Sequence, residues 1–442
     1  MPSCRPISIL CLLISLQSAG VAAAGRTQPV ISGKAGAASR PFMGWSSWSF
    51  IRGDPTQAKI KAQARVMAAK LKKYGYTYVN IDSGWTNGFD RFGRPRVNRR
   101  RFPAGIASLA GWLHHHGLKL GLYLVPGMPA AVYKANCRIL GTHVTARQIA
   151  DPNRPGNTLS RNFYKLNFKS PGAMAYVQSQ ANLLAGWGVD YLKLDFVGPG
   201  GGYPGLRQTN CRPEVRAWET AIKRTGRPIW LELSNSLALR WAPFWKRWSN
   251  GWRITGDIEA YHTPFLTSWK HVLVRFAAAP RWVKYAGPGG WNDLDSLEIG
   301  NGAKDGLTVA QRRTVMTLWC INCAPLCLGA NLEKLTPGDL KIITNRSLIA
   351  IDQAGVPGKL IQRTASQQVW VVKRPKNVMD VAFFNLGSAP AQMQVRLSAL
   401  GFANAVKVRN IWRDVPPGRA AHRLKITVAP GGTQLLQLSA AH

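Results

Sequence analysis

Acidic residues are scarce in this 442-residue chain: 20 Asp and Glu stand against 58 Lys and Arg, for a formal net charge of +38. With so few carboxylates, the places where they fall carry information. Other absences exclude whole classes of function. No zinc-finger or RNA-recognition signature accompanies the basic residues, so no nucleic-acid partner is expected. No histidine cluster has ligand spacing, since the triplet at 114–116 falls in a helix at the wrong end of the fold, so neither a metal nor an organic cofactor is expected. No segment is apolar for long enough to span a bilayer. There is no internal repeat and no long polar linker. Cysteine is sparse and odd in number once Cys4 and Cys11 are set aside: Cys137, Cys211, Cys320, Cys323 and Cys327 cannot all pair within one chain. Cys320-x-x-Cys323 lies in the apolar run "TVMTLWCINCAPLCL" without a second ligand pair, which reads as buried core thiols.

The excess of positive charge is spread along the chain and reads first as a general surface bias. An anionic polysaccharide or a negatively charged envelope surface is the partner such a field would attract. The densest cluster is "RFGRPRVNRRRF" at 91–102. Residues 1–24 hold "ISILCLLISL" and end in small residues with an Ala-x-Ala site, the pattern of a signal peptide; export to a periplasmic or extracellular space is the expectation. Residues 25–40 form a lead-in.

From 41 to 355, β-rich apolar segments recur: "FMGWSSW" from 42, "YTYVNID" from 76, "LKLGLYLV" from 118, "VDYLKLDF" from 189, "PIWLELS" from 228, "WRITGD" from 252, "WVKYAG" from 282 and "APLCLGA" from 324. Helical stretches such as "TQAKIKAQARVMAAKLKKYG" separate most of them. Thr308 with Gln311 fits a capping box, and Thr336-Pro337 fits a cap followed by proline at the first helical position. Eight such units predict an α/β fold, a (β/α)8 TIM barrel. Residues 356–442 read instead as short alternating runs between turns, a C-terminal antiparallel β-sandwich.

The carboxylates cluster at strand ends. Asp82 ends the second strand, Asp195 the fourth and Asp257 the sixth, and Asp293 and Asp295 follow the seventh. In a barrel these ends share the face where active sites sit. Strand alternation turns Lys193 and Asp195 the same way, so a buried strand would carry a charged pair inward. Acids for chemistry and hydroxyls, with Trp48, Trp85, Trp252 and Trp291 nearby in sequence, describe a sugar pocket. Caps and loop ties are the alternative for any single one of these acids.

Six motifs in order, "MGWSSWSF", "YVNIDSGW", "LKLGLY", "YLKLD", "WRITGDI" and "GPGGWNDLD", resemble glycoside hydrolase family 27, the α-galactosidase and α-N-acetylgalactosaminidase family. The resemblance implies a retaining double displacement with Asp195 as nucleophile and Asp257 as acid/base. Lys193 beside Asp195 would favour its ionised form, whereas the acid needs surroundings that keep its proton. Trp48, Asp82, Tyr123, Lys193, Arg253 and Asp295 would line the sugar subsite. Three positions depart from the family pattern. Ser83 stands where a second aspartate usually grips O4 and O6 of galactose. Ser234 stands where α-galactosidases carry a glutamate near the 2-hydroxyl, and Leu237 replaces the small residue that would admit an acetyl group. The cysteine that often follows the nucleophile is absent, which leaves Cys137 without its usual partner. The expected activity is cleavage of terminal α-D-galactosyl residues from oligo- or polysaccharides. The alternatives are another family 27 specificity, such as α-N-acetylgalactosaminidase or isomaltose-releasing dextranase, and a non-catalytic carbohydrate-binding protein.

Overall fold

The computed structural model describes residues 38–159, 162–200, 209–413 and 415–441. Residues 1–24, where a signal peptide is expected, and most of the expected lead-in lie outside the described residues. Eight parallel strands form one sheet: β1 Met43–Ser46, β2 Tyr78–Ile81, β3 Lys119–Leu124, β4 Tyr191–Leu194, β5 Trp230–Leu233, β6 Gly251–Arg253, β7 Trp291–Asp293 and β8 Leu326–Leu328. Their order is β7-β6-β5-β4-β3-β2-β1-β8. The edges meet through one parallel bridge, Leu297 to Leu328, with Leu297 N donating to Cys327 O at 2.6 Å and Gly329 N to Leu297 O at 3.0 Å. The TIM-type barrel expected from the strand–helix alternation is therefore present.

One strand lies elsewhere than expected. The segment from Trp282, which alternates like a strand, closes the helix Trp269–Trp282 and continues as a 3-10 turn, Val283–Tyr285. The chain then reverses through glycines, Gly287 N donating to Gly290 O, and only after that turn does β7 begin. Helix signals fared better. Thr308 and Gln311 make the capping box of helix Val309–Asn322, and the Thr336 hydroxyl accepts from Asp339 N ahead of Pro337. The helix capped by Thr56 runs Gln57–Val66 and ends in wider and tighter turns before left-handed Gly75.

The strand period of two sorts the barrel interior into levels. Tyr78, Tyr191, Trp230 and Trp291 each begin a strand and turn inward, and Phe42 packs edge-on against Tyr78, Tyr191 and Trp230 at 5.1–5.5 Å. This aromatic plug closes one end. Two residues on, Asn80, Lys193, Glu232 and Asp293 form a polar level; two further, Asp82, Asp195, Ser234 and Asp295 reach the open rim.

Beyond the barrel, six antiparallel strands between Lys359 and Ala440 face the two-stranded ribbon Ala391–Arg396 and Arg423–Val428. Val369, Val381, Phe383 and Leu438 of the sheet pack against Val395 and Leu424 of the ribbon, a sandwich core separate from the barrel's. The sandwich docks on two barrel helices: Phe384 stacks edge-on with Phe276 at 5.0 Å, and Trp412 Nε1 donates to Thr317 Oγ1 at 3.0 Å. The five cysteines among the described residues are buried and free, and Cys320 and Cys323 are the core thiols expected. No helix among the described residues is long and apolar enough to cross a membrane.

Candidate active site

The rim assembles the predicted carboxylates through two cations. Lys193 Nζ lies 2.8 Å from Asp82 Oδ2 and 3.9 Å from Asp195 Oδ2, so its closer partner is the acid at the end of β2, not its own strand neighbour. Burial works against the ammonium, but the Asp82 and Asp195 carboxylates outweigh it and hold its pKa well above the usual value. Asp195 Oδ1 accepts from Phe196 N at 2.8 Å. Phe196 itself sits at φ 53°, and Asn235 and Asp295, just past β5 and β7, also have positive φ. Such backbone is strained for a bulky residue and is commonly retained where a site requires it. Tyr123 lies beneath the Lys193 ammonium, and burial, followed by the Asp195 and Asp82 charges, keeps its phenol protonated and able to donate to Asp195.

Arg253 is the second cation. It is buried, with Nη2 2.6 Å from Asp257 Oδ1 and Nη1 3.5 Å from Asp295 Oδ2. Asp257 Oδ2 accepts from the Tyr261 hydroxyl at 2.7 Å, and that hydroxyl accepts from Trp48 Nε1 at 2.9 Å. Both oxygens thus meet donors, unlike the proton-keeping surroundings expected of an acid. The opposing influence comes from like charges. Asp257, Glu259 and Asp295 each place an oxygen within 4.8 Å of the others, and neighbouring carboxylates favour the proton. Glu259 is pushed up to about 7 by burial, then by Asp295 and Asp257. Guanidinium groups of Arg253 and Arg275 supply the positive charge that a metal ion would bring to this cluster.

The remaining predicted residues separate by role. Asp295 is tied into the rim: Oδ2 accepts from Ile258 N at 2.8 Å and lies 3.3 Å from Arg275, and Oδ1 accepts from Ser296 N. Ser234 is buried, its hydroxyl unpartnered among the described residues, against a small cavity that Lys193, Glu232 and Arg253 also line. Ser83 and Tyr123 instead face a mostly apolar cleft of about 440 Å3 with Trp85, Leu159 and Phe163. Two glycines admit buried acids: a side chain on Gly251 would strike the Glu232 carboxylate, and one on Gly329 would strike Glu298.

Tyr261 is one of the members that sequence reasoning missed, with Glu259 and Arg275. It lies on an irregular loop, where no periodicity marks it. The Arg52 guanidinium packs over both aromatic rings, 4.8 Å from the centroid of Tyr261 and 5.7 Å from that of Trp48. Removing its donor, Tyr261→Phe, should weaken the charged form of Asp257 and move the basic limb of the kcat/KM pH profile upward. An unmoved limb would show that Tyr261 does not act on Asp257.

A barrel whose rim carries paired carboxylates, a shared lysine and aromatic faces is the arrangement of a sugar-cleaving enzyme, and the comparisons agree. The family model described as alpha galactosidase A matches residues 41–140 and 165–354, and the model of the alpha galactosidase C-terminal beta sandwich domain matches 364–438. The chain belongs to glycoside hydrolase family 27, the α-galactosidase family. It is a glycosidase. An alpha-galactosidase of Oryza sativa is 31% identical over 405 residues, covering 90% of this chain and 84% of its own. Among solved structures, a family 27 β-L-arabinopyranosidase of Geobacillus stearothermophilus superposes with a TM-score of 0.84 at 30% identity, covering 92% of this chain and 98% of that one. Alpha-galactosidase I of Mortierella vinacea gives 0.71 at 26%, covering 91% and 98%.

Proposed function

We propose that this family 27 glycosidase hydrolyses terminal α-D-galactosides by double displacement. The observation that supports it is the rim itself: Asp195, just past β4, and Asp257, four residues past β6, with β5 between those strands, face different partners. In the first step a carboxylate oxygen of Asp195 attacks the anomeric carbon. The bond to the leaving oxygen breaks, and the Asp257 proton goes to that oxygen. In the second step Asp257 takes a proton from water, the water oxygen attacks the same carbon, and Asp195 leaves as carboxylate. Lys193, held by Asp82, keeps positive charge beside Asp195 in its ionised state. The apolar run and Ala-x-Ala site of residues 1–24 support export of the enzyme, and the charge excess supports an anionic polymer or envelope surface as its neighbour.

A second reading has its own observation. β-L-Arabinopyranose has the ring configuration of α-D-galactose without the hydroxymethyl group. Ser83 removes a carboxylate that would reward O6, and the Geobacillus structure is of an arabinopyranosidase. The test compares kcat/KM for p-nitrophenyl α-D-galactoside and β-L-arabinopyranoside in the wild type and in Ser83→Asp. The galactoside is expected to be preferred in both, with the gap widening about tenfold in the variant, the worth of one charge-assisted hydrogen bond. A wild type that prefers the arabinoside establishes the second reading. Faster cleavage of α-glucosides than of either would overturn both.

A further inference from the structure

On the same face as the carboxylate rim lies a cleft of about 1100 Å3. One wall is the hairpin of strands Ala150–Pro155 and Phe163–Leu166, in the connection after β3; the other is the start of helix Arg212–Arg224, after β4. Both walls are tied to the segment that follows Asp195. Thr158 N donates to Phe196 O at 3.0 Å, Cys211 N to Gly198 O at 2.8 Å, and Thr209 Oγ1 to Asn157 O at 3.1 Å.

The lining is cationic and largely uncompensated. Arg147, Arg154, Lys169 and Arg216 are exposed in it, and none forms an ion pair with a described residue. Arg147 reaches only the carbonyls of Tyr133 and Lys134. The fifth cation, Lys165, is spent on Glu214 at 2.5 Å. Asp151 is the one acidic side chain among the described lining residues. The N-termini of helices Pro171–Gly186 and Arg212–Arg224 end beside the cleft and add partial positive charge. Tyr133 and Phe168, half-buried, offer ring faces.

Like charges gathered in a concavity repel one another, and a focused field of one sign raises the local concentration of opposite charge. The arginine cluster at 91–102 is different, because much of it is consumed internally. Arg94 pairs with Asp90, Arg96 and Arg99 bond to nearby carbonyls, and Arg101 holds Asp54, Gly53 and Gly84.

We propose that the cleft binds an acidic polysaccharide, a chain whose carboxylates or sulfates repeat at sugar spacing, and holds it beside the rim. The placement rests on the glycosidase reading; the binding does not. Polygalacturonate is the probe, with neutral galactomannan and a poly-dT oligonucleotide of matched charge as comparisons. Arg154→Glu, Lys169→Glu and Arg216→Glu combined should lower polygalacturonate affinity at least about tenfold, the scale of three lost exposed ion contacts. The same reversal at Lys373, Lys407 and Lys425, exposed on the sandwich, should change it less than about twofold. Affinity in the wild type should fall as salt rises, and hydrolysis of a p-nitrophenyl glycoside should be equal in the wild type and both variants, which also reports that they fold. Equal losses in the two variants, tighter binding of the oligonucleotide, or no binding of polygalacturonate would overturn the proposal. A wild type that binds polygalacturonate but cleaves no galactoside would leave the cleft standing and contradict the substrate reading alone.

Discussion

Asp195→Asn is expected to lower kcat by on the order of four powers of ten or more, with the chain still folded. The nucleophile is the one rim group whose loss removes a covalent step outright, whereas its structural contacts are few. An asparagine oxygen can still accept from Phe196 N, as Oδ1 does now at 2.8 Å. Lys193 loses only its longer partner and keeps Asp82 at 2.8 Å. Thermal unfolding should therefore move little while turnover collapses. A variant that unfolds, or one that keeps even a hundredth of the activity, would mean that Asp195 serves the structure or that another group attacks.

Asp257→Ala should lose activity toward poorly activated glycosides and retain it far better toward p-nitrophenyl or dinitrophenyl leaving groups, which leave without a proton. The glycosyl-enzyme then waits for a base that is missing, and azide, which needs none, should restore turnover by about tenfold or more. The product decides the assignment. Attack on the Asp195 adduct from the face the aglycone left gives an α-linked glycosyl azide. A β-linked azide would exchange the roles of Asp195 and Asp257. The alanine also frees Arg253 from its 2.6 Å contact and Tyr261 from its 2.7 Å hydrogen bond, so some loosening of the 257–268 loop is expected.

The barrel was legible because its strands announce themselves through aromatic and branched residues and its acids fall at their ends. Alternation alone put Tyr191, Lys193 and Asp195 on one face, and the interior levels follow the same spacing on β2, β5 and β7. What alternation cannot reveal is partnership across the barrel. Lys193 pairs more closely with Asp82 than with Asp195 because β2 and β4 flank β3, a relation that exists only once the strands are ordered in the sheet. Seven strands lay where their composition placed them. The seventh in order did not, since the run from Trp282 has strand-like alternation, whereas β7 is three residues long behind a glycine turn. Tyr261 and Arg275 escaped for a related reason. One comes from an irregular loop and the other from a helix, and only the fold brings them to Asp257 and Asp295. The arginines at 91–102 are the densest basic cluster in the sequence, which shows charge but not the carbonyls and carboxylates that several of them bond.

The most direct measurement is peptide mapping by mass spectrometry after exposing the enzyme to an activated fluorinated α-galactosyl donor, whose fluorine slows the second displacement more than the first. The account predicts a single covalent sugar on the peptide that carries Asp195, absent from Asp195→Asn and formed at an undiminished final level in Asp257→Ala. A label on the Asp257 peptide, or full inactivation with no covalent adduct anywhere in the chain, would contradict it.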